Sequence, residues 1–191
     1  MERFFIMEKM NEETTKNGKY KEFFSNLRTI GITIVCTLLF IYFVAQLTIV
    51  NGESMMPTLH NGDLCIMEKI TTRFGHLKRN DVIVLKTKEE NKPFFIKRVI
   101  GLPGETVRID EDGTIFINDE IYNDEYGSET IKNPGNAIDG ITLGEDEYFF
   151  LGDNRNNSND ARFIGPVKKK DIAGHVIFNF VVSRNPYKKR Q

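Results

Sequence analysis

Two kinds of hydrophobic pattern divide the chain. The first is unbroken. From Thr29 to Gly52 no residue is charged, and Thr29–Val50 is mostly Ile, Val, Leu, Phe and Thr. As a helix, this run reaches about 36 Å, enough to cross a hydrocarbon core of roughly 30 Å. A core helix of a soluble protein needs a polar face. This run has none, since Gln46 is its only amide before Asn51. A cleaved secretory h-region spans about 7–15 residues and closes on small side chains. Here the run is longer, and its one alanine, Ala45, is followed by Gln46, Leu47 and Thr48. The pattern predicts a retained signal anchor over 29–50, between an N-terminal segment 1–28 and a separate part 51–191.

The second pattern is short and periodic. After residue 51, apolar runs of a few residues alternate with turn signals, and no long 3.6-residue period appears. Strands are predicted at Leu64–Ile70, Val82–Leu85, Phe94–Ile100, Thr106–Ile109, Thr114–Ile117, Tyr148–Leu151 and Ala173–Val182. Asp112-Gly113 marks a tight hairpin, and Asn118-Asp119 a second turn before Glu120-Ile121. Gly101-Leu-Pro-Gly104 separates two strands. Segment 124–144 is polar and rich in Gly and Asn, and reads as a loop excursion. The fold class expected is mostly β: an antiparallel sheet or partial barrel, preceded by one transmembrane helix.

Charge adds an orientation. Lys16, Lys19, Lys21 and Arg28 precede the apolar run, and the 20 residues after it carry only Lys69. Positive residues stay on the cytoplasmic side, so the N-terminus is expected inside and 51–191 outside. The whole chain, 191 residues, has 26 Lys plus Arg against 27 Asp plus Glu, a net charge of −1. That balance argues against a nucleic-acid partner. Cys36 lies in the apolar run and Cys65 is alone beyond it, so the outer part is expected to fold without an internal disulfide.

Three places carry candidate chemistry. Ser54 follows Gly52 and precedes Pro57, a setting that fits either a presented hydroxyl or a polar turn residue. A serine nucleophile needs a base. His60, His76 and His175 sit in no recognisable pattern and make no close metal-ligand pair. Lys97 alternates with Phe95 and Val99 on one strand face, with Arg98 on the other. It is either an exposed strand lysine or one whose burial lowers its pKa enough to accept a proton. The run Gly152–Arg162 puts many hydrogen-bonding side chains directly after the apolar Tyr148–Leu151. That run fits a functional loop or a solvated one; its spacing does not match a calcium-binding EF-hand.

Taken together, these stretches resemble a bacterial type I signal (leader) peptidase. The residues that carry the resemblance are Ser54-Met-Met-Pro-Thr-Leu59, Lys97-Arg-Val-Ile-Gly-Leu-Pro-Gly104 and Gly152-Asp-Asn-Arg-Asn-Asn-Ser-Asn-Asp-Ala-Arg162, with Asn80-Asp-Val-Ile-Val84 resembling a fourth, structural box. The single anchor and the short interval from Lys97 to Gly152 are similar to the compact Gram-positive enzymes. The resemblance implies a membrane-bound serine endopeptidase that removes signal peptides from exported preproteins, with a fold akin to LexA-like Ser-Lys proteases. It implies Ser54 as nucleophile, Lys97 as general base, and Ser158 as the hydroxyl that orients the lysine. Arg98, Asp153, Asp160 and Arg162 match supporting charged positions, and Met55 and Pro57 are expected to contact substrate. Neither cofactor nor metal is implied. The implied partners are signal peptides, the lipid bilayer and, by proximity, the secretion translocon. Gly52 stands where many relatives have a serine, which leaves more of the oxyanion contact to the Ser54 backbone N–H. Ala161 also replaces a serine. From the strand alternation, Arg98 and Asp153 are expected to form an ion pair.

Overall fold

The computed structural model describes residues 2–86 and 94–180. The chain divides after Phe43 into two compact units. The first is one helix, α1, Glu2–Phe43. Its segment Tyr20–Phe43 is 24 residues long and apolar enough to cross a membrane. Ile30, Ile34, Leu38 and Phe40 are all more than half exposed. The hydroxyls of Thr29, Thr33 and Thr37 donate to carbonyls four residues back, at 2.9–3.0 Å. Those bonds satisfy the polar atoms within the helix, as a hydrocarbon environment demands.

The structure divides the predicted 29–50 anchor. Its helix stops at Phe43, and Ala45–Ile49 form strand β1. β1 pairs antiparallel with β2, Leu64–Glu68, from Ala45 opposite Glu68 to Ile49 opposite Leu64. An uncharged run satisfies either state, and here a partner strand decides.

The second unit is built from two antiparallel sheets and is not a closed barrel. After β2 comes a short helix, α2, Ile70–Phe74, where the sequence pattern extends the strand to Ile70. Then follow β3, Val82–Lys86; β4, Phe94–Gly101; β5, Thr106–Ile109; β6, Ile115–Ile117; and β7, Glu120–Ile121. β5 and β6 are joined by the Asp110–Gly113 turn, with Gly113 at φ +80° and its N–H on the Asp110 carbonyl. Asn118 and Asp119 both adopt positive φ between β6 and β7, the geometry of a two-residue hairpin. Segment 124–144 is less irregular than its composition predicts. It contains a 3-10 turn, Gly135–Asp139, and a two-residue strand, β8, Ile141–Thr142, which pairs with β5. The chain continues through β9, Glu147–Leu151; α3, Ala161–Ile164; β10, Val167–Lys168; and β11, Ile172–Phe180. The end of the last predicted strand, Val181 and Val182, lies outside the described residues.

The larger sheet runs β1-β2-β11-β3-β4-β9-β10 and the smaller β7-β6-β5-β8. Their facing side chains make the main core, including Ile83, Leu85, Val99, Ile100, Val107, Ile109, Phe149 and Phe150. The backbones close in at Gly101. A Cβ there would lie 2.5–3.0 Å from Val107, Leu143 and Phe149, so only glycine fits. A second, smaller cluster (Val50, Met55, Leu59 and Cys65, with Ile96 and Val82 against it) lies beneath the loop that carries Ser54.

Candidate active site

Ser54 and Lys97 are 43 residues apart in sequence and meet in space. Lys97 Nζ lies 2.7 Å from Ser54 Oγ. Two elements bring them together. The loop 50–63 is anchored from below by Met55 and Leu59, each 2 % exposed. It is closed by Val50 N–H on the Asp63 carbonyl and Gly62 N–H on the Val50 carbonyl, both 2.8 Å. Lys97 is held from the side by β4, whose register with β3 puts it opposite Ile83.

Lys97 is 3 % exposed. Burial lowers its pKa to about 8, against a smaller opposing pull from the Asp160 and Asp153 carboxylates. Desolvation disfavours the ammonium, and among the described residues no carboxylate contacts it directly to restore it. The Phe95 ring centroid is 5.3 Å from Nζ.

The Gly152–Arg162 run folds as a clamp around this pair. Arg98 grips Asp153 with two parallel bonds, Nε to Oδ1 at 2.8 Å and Nη2 to Oδ2 at 2.6 Å, and donates from Nη1 to the Asn80 carbonyl. Both members of the pair are buried. Thr58 Oγ1 donates to Asp153 Oδ2 at 2.5 Å, which ties the serine loop to the same carboxylate. Asp160 accepts from Arg162 Nε at 2.8 Å and from the Gly152 N–H at 3.1 Å, and caps α3. Arg155 binds Asp124 through two nitrogens and the Gly152 carbonyl through the third.

The remaining candidates are placed as follows. Ser158 packs on Gly152, where a side chain would collide with both Ser158 Oγ and the Ser54 carbonyl. Its hydroxyl is enclosed and makes no hydrogen bond among the described residues, to Lys97 or otherwise. Met55 lines a small cavity of about 40 Å³ with Val50, Gly52, Ser54, Phe94 and Ile96. Pro57 is exposed on the turn and lines no wall of that cavity. The Gly52 N–H is taken by Asn61 Oδ1 at 2.9 Å. His175 lies between the carboxylates of Glu68 and Asp81, at 3.3 and 3.6 Å.

Three contributors are not among the candidate residues, although two of them, Thr58 and Asn154, lie inside the motifs that carry the resemblance. Asn154 donates its backbone N–H to the Ser54 carbonyl at 3.0 Å and its amide to the Glu53 carbonyl at 3.2 Å. Tyr126, from the polar excursion, lays its ring 3.8 Å from the Arg98 guanidinium carbon. Thr58 is the third. Their roles depend on contacts across 28 to 101 positions, the shortest being Tyr126 on Arg98, beyond the reach of any local period.

Comparison with known proteins decides the family. The family model for signal peptidase, peptidase S26, matches residues 23–181. The chain belongs to the signal peptidase family. It is 37 % identical over 156 residues to signal peptidase I P of Bacillus subtilis subsp. natto, covering 78 % of this chain and 83 % of that one. Against signal peptidase I of Bacillus licheniformis the identity is 36 % over 179 residues, 90 % and 95 % of the two chains. With signal peptidase I of Leptolyngbya laminosa it is 38 % over 162 residues, 81 % and 77 %. A crystal structure of a signal peptidase I from Enterococcus faecalis V583 is 32 % identical with a TM-score of 0.41, covering 52 % of this chain and 95 % of that one. The chain is thus a membrane-anchored serine protease of the family that cleaves signal peptides, with the anchor at its N-terminal apolar helix.

Proposed function

We propose that this enzyme cuts signal peptides from exported preproteins with Ser54 as nucleophile and Lys97 as general base. The observation that carries the reading is the 2.7 Å contact between Lys97 Nζ and Ser54 Oγ, inside a site where burial brings the amine to about 8. At pH 7 about a tenth of such a lysine is neutral, against well under a thousandth for an ordinary one. The neutral amine accepts the Ser54 proton as Oγ attacks the carbonyl carbon of substrate position −1. The Ser54 N–H, which donates to nothing among the described residues, supports the developing oxyanion. The Lys97 ammonium then protonates the departing amine of the mature chain, leaving an acyl ester on Ser54. Lys97 next deprotonates a water as it attacks the ester carbon, and the Lys97 ammonium returns that proton to Ser54 Oγ as the acyl bond breaks and the acid leaves. Ser158 supplies the hydroxyl that orients the amine: its Oγ is enclosed and without a partner beside the site, and a turn toward Nζ would satisfy both. Arg98, Asp153, Asp160 and Arg162 hold the clamp without touching the reacting atoms.

The substrate fits along β4. That strand pairs with β3 over Phe94–Arg98, but with β9 only from Arg98 onward, so among the described residues Phe94–Lys97 offers an open edge to an extended peptide. The small cavity lined by Met55, Gly52 and Ile96 suits the small side chains expected at positions −1 and −3. On the positive-inside reading, the N-terminus is cytoplasmic, the apolar helix ending at Phe43 is the anchor, and the second unit, from Val44 onward, is extracytoplasmic. The site then stands near the bilayer and the translocon, where signal peptides emerge. The mechanism as drawn needs no cofactor. The test uses the full-length protein in detergent with a synthetic preprotein. Ser54→Ala and Lys97→Ala should each remove cleavage while circular dichroism stays unchanged. Near-wild-type turnover in either variant removes that residue from the mechanism.

A further inference from the structure

Two parts of the proposed site rest on one bare residue, Gly152. A side chain there would collide with both Ser158 Oγ and the Ser54 carbonyl. The two neighbours are fixed differently. The Ser54 carbonyl also accepts from the Asn154 N–H at 3.0 Å. Ser158 Oγ makes no hydrogen bond among the described residues, so its position follows the surface it packs on. Gly152 is itself held from both sides. Its N–H donates to Asp160 Oδ2 at 3.1 Å, and its carbonyl accepts from Arg155 Nη1 at 2.8 Å.

Arg155 is fully buried, and its charge is met from outside the clamp. Asp124, 20 % exposed, accepts from Nε at 2.9 Å and from Nη2 at 2.7 Å, the two-point geometry that fixes a guanidinium plane. Asp124 belongs to the stretch 122–134, which has no helix or strand of its own. That stretch follows the clamp instead. The Ser128 N–H donates to the Asp153 carbonyl and the Lys132 N–H to Asn156 Oδ1, both at 2.9 Å. Gly127 lets it come this close, because a Cβ there would lie 2.6 Å from Asp124 Oδ2 and 3.0 Å from Arg155 Nε.

We propose that Asp124 is a positioning residue for the reaction: it orients Arg155, Arg155 sets Gly152, and Gly152 aims the Ser158 hydroxyl at Lys97. This rests on the Ser54–Lys97 reading and on Ser158 as the hydroxyl that orients the amine. A buried guanidinium stays charged. Without the Asp124 carboxylate it turns toward other acceptors, and the Gly152 carbonyl that it holds moves with it. Ser54 keeps its own tie to Asn154, so the displacement falls on Ser158, which has none. The stretch 122–134 thus serves the chemistry without touching a reacting atom.

The experiment measures kcat and KM of full-length enzyme in detergent on one synthetic preprotein, for wild type, Asp124→Asn, Ser158→Ala and the double variant. Asp124→Asn keeps the shape, removes the charge and turns one acceptor oxygen into a donor. Its kcat should fall about fivefold, the worth of one neutral hydrogen bond, with KM within about twofold of wild type. In the double variant kcat should lie within about twofold of Ser158→Ala alone, because residues that act through one contact do not add. Gly127→Ala pushes on the Asp124–Arg155 pair while keeping both charges. It should repeat the kcat loss and lose its effect beside Ser158→Ala, and it carries the test if Asp124→Asn does not fold. A merely structural defect would lower kcat by the same factor with and without the Ser158 hydroxyl. Losses that multiply in the double variants, a loss confined to KM, or wild-type kcat in both Asp124→Asn and Gly127→Ala would overturn the role of Asp124 while leaving the dyad and Ser158 in place. A fully active Ser158→Ala enzyme would overturn the orienting hydroxyl and the proposal with it.

Discussion

Lys97 and Arg98 are neighbours on β4, each 3 % exposed, and the two faces of the strand treat their charges in opposite ways. On the Arg98 face the cation has a carboxylate in two-point contact, a backbone carbonyl and an aromatic ring. On the Lys97 face it has one hydroxyl and a nearby ring. Arg98 is thereby fixed as a charged strut that joins β4 to the Gly152–Arg162 clamp. Lys97 is left under-compensated, and its proton is loosely held. The same depth of burial thus gives rigidity where the charge is paired and, on the proposed mechanism, proton transfer where it is not. The residue types match these tasks, since guanidinium stays protonated and an amine can give its proton up.

The largest effect should come from making the Lys97 face resemble the other. Lys97→Arg keeps the charge and most of the length but cannot become neutral at working pH. Cleavage of a synthetic preprotein should fall by at least about a thousandfold, beyond the range general-base loss usually gives at its low end. Retention of more than a tenth of wild-type kcat/KM in this variant would show that no deprotonated side chain is needed at position 97.

Breaking the paired face should act on stability instead. Asp153→Ala leaves Arg98 buried without its carboxylate and strips Thr58 of its acceptor. Removal of one partner from a buried pair costs about 3–5 kcal/mol. Urea denaturation should record a loss of that size, and activity should fall with the folded fraction. An unchanged denaturation midpoint would mean that the clamp does not depend on this pair.

How far the sequence reveals this contrast differs between scaffold and site. Alternation along Phe94–Ile100 separates Lys97 from Arg98 correctly, and the Asp-Gly and Asn-Asp turns fall where φ becomes positive. β1 is hidden, because Ala45–Ile49 continues an uncharged run that serves a helix equally well until β2 pairs with it. The two-residue strands β8 and β10 are too short for any period to register. At the site, family motifs pick out Ser54, Lys97 and the clamp residues. Neither the approach of Nζ to Oγ nor the stacking of Tyr126 on Arg98 has a local cause, because both follow from how distant loops close over the sheets.

Acidity sharpens the comparison further. The Lys97 amine is near 8 in the folded protein and 10.5 as an ordinary lysine, so kcat/KM should rise with pH through about 8 and then level off. The sign for stability follows from proton counts. Between about 8 and 10.5 the unfolded chain binds more protons than the folded one, so stability rises with pH across that window. Below 8 the cost of keeping the ammonium buried is present in full, roughly 3 kcal/mol. Lys97→Met removes that cost. The variant should be more stable than wild type at pH 7, and the advantage should shrink by pH 10. Equal pH dependence of unfolding in the two proteins would place the titration elsewhere.

Ser158 should give the smallest effect and the most specific one. Its hydroxyl is enclosed and unpartnered in the ground state, while Lys97 already reaches Ser54 without it. Ser158→Ala therefore leaves both reacting groups in place and removes only the hydroxyl proposed to hold the amine on line. The loss of one neutral hydrogen bond in the transition state is worth about 1 kcal/mol, so kcat should fall roughly five- to tenfold. Two further readouts separate aim from packing. Because an enclosed hydroxyl without a partner is itself costly, its removal should leave thermal stability unchanged or slightly raised. KM should also stay near its wild-type value, since Ser158 has no place among the walls of the small cavity proposed to receive position −1. A fully active variant would reduce Ser158 to loop structure over Gly152, and a loss confined to KM would assign it to substrate binding rather than to the lysine.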